Sequence, residues 1–202
     1  EIDSVSYAIG LNMSKQLKQG FKEVNAAVLL QAIKNGLDST NILIEDKEIQ
    51  KVIAPYFQKK QLALKKEAQA KALIYKKEGE DFLATNKTKE GVKTTESGLQ
   101  YIVLKEGNGA KPTTKNRVKV HYHGTLLDGT VFDSSVDRGK PAEFGVTQVI
   151  KGWTEGLQLM KVGSKYKFFI PQELAYGANP RPGKIKGNMA LIFEVELLEI
   201  KK

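Results

Sequence analysis

The sequence predicts an α+β protein: an all-helical N-terminal region and a long connecting helix, then a curved antiparallel five-stranded sheet wrapped on one short helix. Three observations predict it. Up to about residue 84 apolar side chains recur at spacings of three and four, the period of a helix face, whereas beyond Ser97 they alternate with polar ones, the period of a strand. Between the two, Lys87 to Glu96 has neither period and few apolar residues, which marks a linker. Gly and Pro then become frequent, and Asp128-Gly129 between two strand candidates is a strong hairpin signal.

In the N-terminal half, Val5, Ala8, Ile9, Met13, Leu17 and Phe21 trace one face of a helix that Asp3 or Ser4 can cap. Gly20 breaks it, Asn25 is a new N-cap, and Val28, Leu29, Ala32, Ile33 and Leu37 form a second stripe ending near Gly36. Glu45 and Asp46 open a third helix, favourably placed for its dipole, and Pro55 is expected to kink it. From Lys59 to Ala84 that helix is rich in Lys, Gln, Ala, Glu and Leu with few apolar anchors, the composition of a solvated spacer. Two short amphipathic helices cannot build a core alone, so they need the rest of this chain or a second copy. A spacer holding them away by tens of ångströms favours a homodimer over a helical cap. The expected organisation is a helical dimerisation region at 1–44, a connecting helix at 45–86, a linker at 87–97 and a C-terminal domain at 98–202.

Strand candidates in that domain are Leu99 to Lys105, Arg117 to Thr125, Thr130 to Asp133, Lys165 to Ile170 and Ala190 to Ile200, with one helix from Val149 to Leu159. The stretch Val149-Ile150-Lys151-Gly152-Trp153 holds the only tryptophan. By itself it reads as core, since large aromatic side chains dominate cores. Alternation puts Tyr122 on the apolar side of its strand and His121 and His123 on the other. No third ligand sits at a useful spacing from that histidine pair, so no metal is expected. Asp133 is the odd member, a carboxylate beside aromatic residues.

Composition excludes several classes of function. The chain has 202 residues, 41% hydrophobic and 27% charged, as in soluble globular proteins. No apolar run reaches the ~18 residues of a membrane span, and Glu1-Ile2-Asp3-Ser4 shows no targeting peptide, as a processed mature form would not. There is no cysteine for a disulfide, thiolate site or nucleophile. The net charge of +9 comes almost wholly from lysine, with only Arg117, Arg138 and Arg181, so nucleic acid is not an expected partner. HExxH, GxSxG and GK[ST] patterns are missing, and both histidines share one strand face, which disfavours a nucleophilic triad. If the C-terminal half is an enzyme, its chemistry must need few functional groups.

Val120-His121-Tyr122-His123-Gly124, Gly129-Thr130-Val131-Phe132-Asp133-Ser134-Ser135, Val149-Ile150-Lys151-Gly152-Trp153, Ala175-Tyr176-Gly177 and Leu191-Ile192-Phe193-Glu194-Val195-Glu196-Leu197 resemble, in this order, the FK506-binding-protein family of peptidyl-prolyl cis-trans isomerases. The match covers about Ser97 to Lys202. Tyr7-Ala8-Ile9-Gly10-Leu11 and the helices around it are similar to the N-terminal region of Mip-like and FkpA-like bacterial members, which dimerise through short helices.

The resemblance implies an isomerase of X-Pro bonds acting on proline-containing polypeptide clients and binding macrolides of the FK506 or rapamycin type, with chaperone activity as a V-shaped dimer. It assigns catalytic positions to Tyr122, Asp133, Trp153, Tyr176 and Phe193, and substrate-binding positions to Phe132, Phe144, Val149, Ile150 and Ile185. Trp153 is then the pocket floor, and Tyr176 hydroxyl and Ile150 N–H donate to ligand carbonyls. Arg181 stands where many members have histidine, and Lys184 adds charge at the rim. Asp133 is expected to orient Tyr122 and Arg138, the alternative being a structural strand-end carboxylate. By analogy the location is the periplasm or outer membrane of a bacterium, with the cytoplasm as the alternative. The competing reading is a non-enzymatic proline-motif binding or adhesion module.

Overall fold

The first amphipathic stripe folds as helix α1 (Ile2–Gly20) in the computed structural model, which describes residues 1–201. Glu1 occupies the N-cap without a side-chain hydrogen bond, so Asp3 and Ser4 lie inside the first turn and not at its cap. Helix α2 (Ala26–Asp38) begins where Asn25 Oδ1 accepts from Ala27 and Val28 N–H at 3.1 and 3.3 Å. It outlasts Gly36 and stops at Ser39, which takes the left-handed conformation at φ 53°. Helix α3 (Asp46–Asn86) runs through Pro55 without interruption.

Two compact units result, Glu1–Gln61 and Leu62–Lys202. Within the first, α1 and α2 contain no buried residue. Phe21, Tyr56 and Phe57 gather their rings at centroid separations of 5.4 to 5.9 Å, and Lys60 pairs with Glu23 at 2.7 Å. The division falls inside α3, not at residue 86 where the composition changes, because the end of α3 packs on the sheet. Phe82 meets Phe169 at 5.9 Å, and buried Asn86 donates to Gln100 Oε1 at 2.9 Å while Gln100 Nε2 donates to the Leu83 carbonyl at 2.9 Å.

The second unit is an antiparallel sheet of strands β1 (Lys93–Thr94), β2 (Gln100–Lys105), β3 (Arg117–Thr125), β4 (Val131–Ser134), β5 (Ala142–Gly145), β6 (Lys165–Ile170) and β7 (Leu191–Lys201). They run in the order β1-β2-β6-β7-β3-β4, with β5 also paired to β3. The two beyond the expected five are β1, of only two residues, and β5, which lies between Pro141 and Val146. Strand β3 is central: β7 lies along one side, and β5 and β4 follow one another along the other. Its inward residues Val118, Val120 and Tyr122 meet Phe193, Val195 and Leu197 of β7 in one core.

Helix α4 (Lys151–Leu159) lies on that core, and two glycines let it come close. A Cβ on Gly152 would stand 2.6 Å from Ile170 Cγ2, and one on Gly156 would stand 2.7 Å from the Phe168 ring, inside contact distance in both cases. The helix starts at Lys151 because Ile150 is extended, at φ −60° and ψ 152°. That extended approach carries Val149 and Ile150 across the mouth of the core.

Candidate active site

Trp153, on the first turn of α4, is 4% exposed and stands at the centre of an aromatic box. Tyr122 of β3, Phe144 of β5 and Phe193 of β7 each present to it at 5.3, 5.7 and 5.3 Å, with interplanar angles of 84°, 86° and 82°. Edge-to-face packing of this kind suits the positive ring edge and negative ring face of aromatic groups. Above the box opens a cavity of 590 Å³. Among the described residues Trp153 Nε1 is the one buried side-chain donor without a protein acceptor.

One side of the cavity is polar. Tyr122 hydroxyl donates to Asp133 Oδ2 at 2.6 Å, and Arg138 donates to Tyr122 Oη at 2.9 Å and also to Asp133 Oδ1. The guanidinium lies 5.6 Å from the centre of the Tyr122 ring. Burial, the strongest single influence on Asp133, pushes its carboxyl up. The hydrogen bonds from Tyr122 and Arg138 together outweigh it and hold the group below the usual carboxylate range. Burial and the neighbouring carboxylate raise the Tyr122 phenol, so it stays a neutral donor.

The opposite rim comes from the approach to α4 and from the loop after β6. Val149, Ile150 and Lys151 line one edge, where the first backbone N–H groups of α4 have no partner within the helix. Ala175, Tyr176, Asn179 and Arg181 line the other, with the Arg181 guanidinium 4.7 Å from the Tyr176 ring centre. Tyr176 hydroxyl makes no hydrogen bond among the described residues, which leaves it free to donate to a ligand.

Of the ten residues expected at the site, nine line this one cavity: Tyr122, Phe132, Asp133, Phe144, Val149, Ile150, Trp153, Tyr176 and Phe193. Ile185 does not. It is 8% exposed within the core, and its carbonyl accepts from Arg181 N–H at 3.0 Å, so it anchors the loop that carries the rim. Gln148, Lys151 and Asn179 line the cavity without having been singled out. Neighbouring Val149, Ile150 and Tyr176 were a usable signal for them, but polar residues in loops carry no periodicity that would point them inward. His121 and His123 turn away and meet the hydroxyls of Ser135 and Ser134 at 3.2 and 3.0 Å. No group of three metal-ligating side chains exists among the described residues.

This arrangement offers an apolar enclosure, one neutralised carboxylate and free donors at the rim, and it lacks a nucleophile with an adjacent base. Comparison with known proteins finds two family matches that together span most of the chain. Residues 108–198 match the family described as FKBP-type peptidyl-prolyl cis-trans isomerase, and residues 2–103 match the domain amino-terminal to it. The FKBP-type peptidyl-prolyl cis-trans isomerase FkpA of Aeromonas hydrophila is 52% identical over 97% of this chain and 75% of its own length. The FKBP-type 22 kDa isomerase of Escherichia coli is 44% identical over 96% and 93%, and the outer membrane protein MIP of Legionella longbeachae is 41% identical over 99% and 86%. The crystal structure of FkpA from Escherichia coli superposes with a TM-score of 0.76 at 33% identity, covering 98% of this chain and 95% of that one. With its helical region and its isomerase domain both matched, the chain belongs to the FKBP-type peptidyl-prolyl cis-trans isomerases.

Proposed function

We propose that this isomerase twists X-Pro bonds of polypeptide clients inside the aromatic box around Trp153. Amide resonance opposes that rotation with a barrier of ~18–20 kcal/mol. In the twisted state the C–N bond loses double-bond character and the carbonyl loses charge separation, so the state is less polar than the planar ones flanking it. A cavity walled by Tyr122, Phe144, Trp153 and Phe193 favours it over the ground state, and such differential binding is catalysis. No bond to carbon is made or broken, so neither a nucleophile nor a cofactor is required.

The remaining roles follow from position. Tyr176 hydroxyl and Ile150 N–H hold substrate carbonyls, while Phe132 and Val149 complete the apolar walls. Asp133, locked by Tyr122 and Arg138, fixes the phenol and sets the local field. Ile185 acts from behind by holding the loop of Tyr176 and Arg181. The observation that carries this reading is the triple edge-on packing about Trp153 beside a carboxylate with two committed donors. An isomerisation assay on a Pro-containing peptide, with and without a macrolide of the FK506 type, tests it. Macrolide binding without any isomerisation would leave a proline-motif binding module.

In this reading residues 1–44 join two chains, residues 45–86 connect them to the isomerase domains, and 87–97 link the two parts. Support comes from apolar side chains left exposed on α1 and α2, among them Ile2, Val5, Ile9, Val28 and Leu30 at 54 to 79%. Two pockets on one dimer raise the effective concentration of sites along an unfolded client, which is the basis of a chaperone role. An envelope location, periplasmic or at the outer membrane, is supported by the name of the Legionella longbeachae relative. No helix among the described residues is long and apolar enough to cross a membrane.

A further inference from the structure

The loop carrying Tyr176 has a second lined face. Residues 175–190 join the short 3-10 turn Gln172–Leu174 to β7. Alternate residues of this loop serve different cavities. Asn179 and Arg181 face the aromatic box, whereas Ala178 and Pro180 face a hollow of 1040 Å³ whose far wall is α3. Leu64, Ala68, Leu73 and Tyr75 form that wall. Asn188 ties loop to helix by donating to the Ala72 carbonyl at 3.2 Å.

Leu64 and Leu73 are 58% and 66% exposed, so the hollow presents apolar surface that the second unit leaves uncovered. Its edge is basic: Lys65, Lys71 and Lys186 stand against Glu67 alone, and Lys71 already pairs with Glu67 at 2.7 Å. Arg181 extends the same sign over the shared wall to the box, where the carboxylate of Asp133 is matched by Arg138. A second copy of this chain would bring its lysine-rich α3 against these lysines, with a net charge of +9 on each partner. A single loop separates the hollow from the place where a proline would sit.

We propose that the hollow between α3 and loop 178–188 is a second client site. It takes an extended segment of apolar and acidic residues that continues from the proline held in the box. The proposal rests on the isomerase reading and adds a docking arm to it. Contacts remote from the twisting bond bind planar and twisted substrate alike, so the arm lowers KM and leaves kcat unchanged.

The test uses the full chain and three kinds of peptide. One is a short Pro peptide. The second carries the same core extended on either side by about eight residues of alternating Leu and Glu, which spans about 26 Å when extended. The third carries Leu and Lys instead. The expected result is that a Leu/Glu arm on one side lowers KM about tenfold, that a Leu/Lys arm does not, and that Leu73→Glu and Lys65→Glu abolish the gain. Both variants should isomerise the short peptide at the wild-type kcat/KM, since neither residue borders the box. Equal KM for all peptides, or a gain that survives both variants, overturns the proposal. So does a KM that varies with enzyme concentration, which assigns the hollow to a second copy. A wild-type chain inert on the short peptide refutes the isomerase reading itself and the arm with it.

Discussion

Tyr122 hydroxyl donates to Asp133 Oδ2 across 2.6 Å, and Arg138 reaches both partners of that bond. The pair joins the apolar box to its polar edge: the Tyr122 ring packs on Trp153 while its oxygen holds a carboxylate. Because one guanidinium serves both oxygens, removing Asp133 frees two groups at once. Asp133→Ala is expected to fold normally and to lose kcat/KM by about tenfold, close to 1.4 kcal/mol of transition-state stabilisation. Circular dichroism and a peptide assay read the two halves of that expectation, and wild-type activity in a folded Asp133→Ala would make the carboxylate structural.

The same carboxylate gives a signed pH dependence. Its pKa in the folded chain is lower than the ordinary 3.8, so the stability it contributes is fully present above that value and is lost as pH falls through the lower one. The difference in urea midpoint between wild type and Asp133→Ala should stay constant from about pH 8 to about pH 5 and narrow below about pH 4. A difference that narrows as pH rises would have the wrong sign.

Trp153 belongs to the core and also lines the cavity. Replacing it with Ala should cost roughly 3–5 kcal/mol, the scale for a large buried aromatic residue, and should weaken macrolide binding as well. Denaturation and a binding titration report the two losses separately. Unchanged stability would move the indole from the floor of the cavity to its mouth.

Gly156 is one of the two glycines at which α4 comes close to the sheet. Gly156→Ala places a methyl group 2.7 Å from the Phe168 ring, which is held 1% exposed and has little room to retreat. Overpacking of this kind costs about 1–3 kcal/mol, whereas Ala in an open helix position would stabilise by about 1 kcal/mol. The sign of the change in denaturation midpoint therefore tests the packing directly.

Ile9 on α1 is 56% exposed, and no residue of that helix is buried. A dimer through residues 1–44 predicts that Ile9→Glu shifts the mass in solution toward one chain. It also predicts unchanged isomerisation of a short peptide and slower rescue of a proline-limited refolding protein. Sedimentation and the two activity assays check this, and an unchanged mass would remove the dimer interface from α1.

Much of this was legible in the residues because periodicity reports packing. The alternation of Val118, Val120 and Tyr122 placed the phenol inward, and Asn25 announced the start of α2 because its side chain can satisfy free N–H groups there. Composition placed the end of the connecting helix in the solvent, but Phe82 and Asn86 pack on the sheet. A few anchors on a polar helix suffice when the partner surface is shaped for them, and such shape is not written in a helical period. Ile185 shows the same limit in a loop, where it is buried between the exposed Lys184 and Lys186 and no period announces which of the three turns inward.

In the proposed mechanism the aromatic box around Trp153 suffices to catalyse rotation about an X-Pro bond. The most direct measurement is the cis-to-trans rate of a short Pro peptide with the full chain, before and after saturation with a macrolide of the FK506 type. The expected result is acceleration proportional to enzyme concentration that the macrolide abolishes at one equivalent per chain. Acceleration that persists with the macrolide bound, or none in its absence, would contradict it.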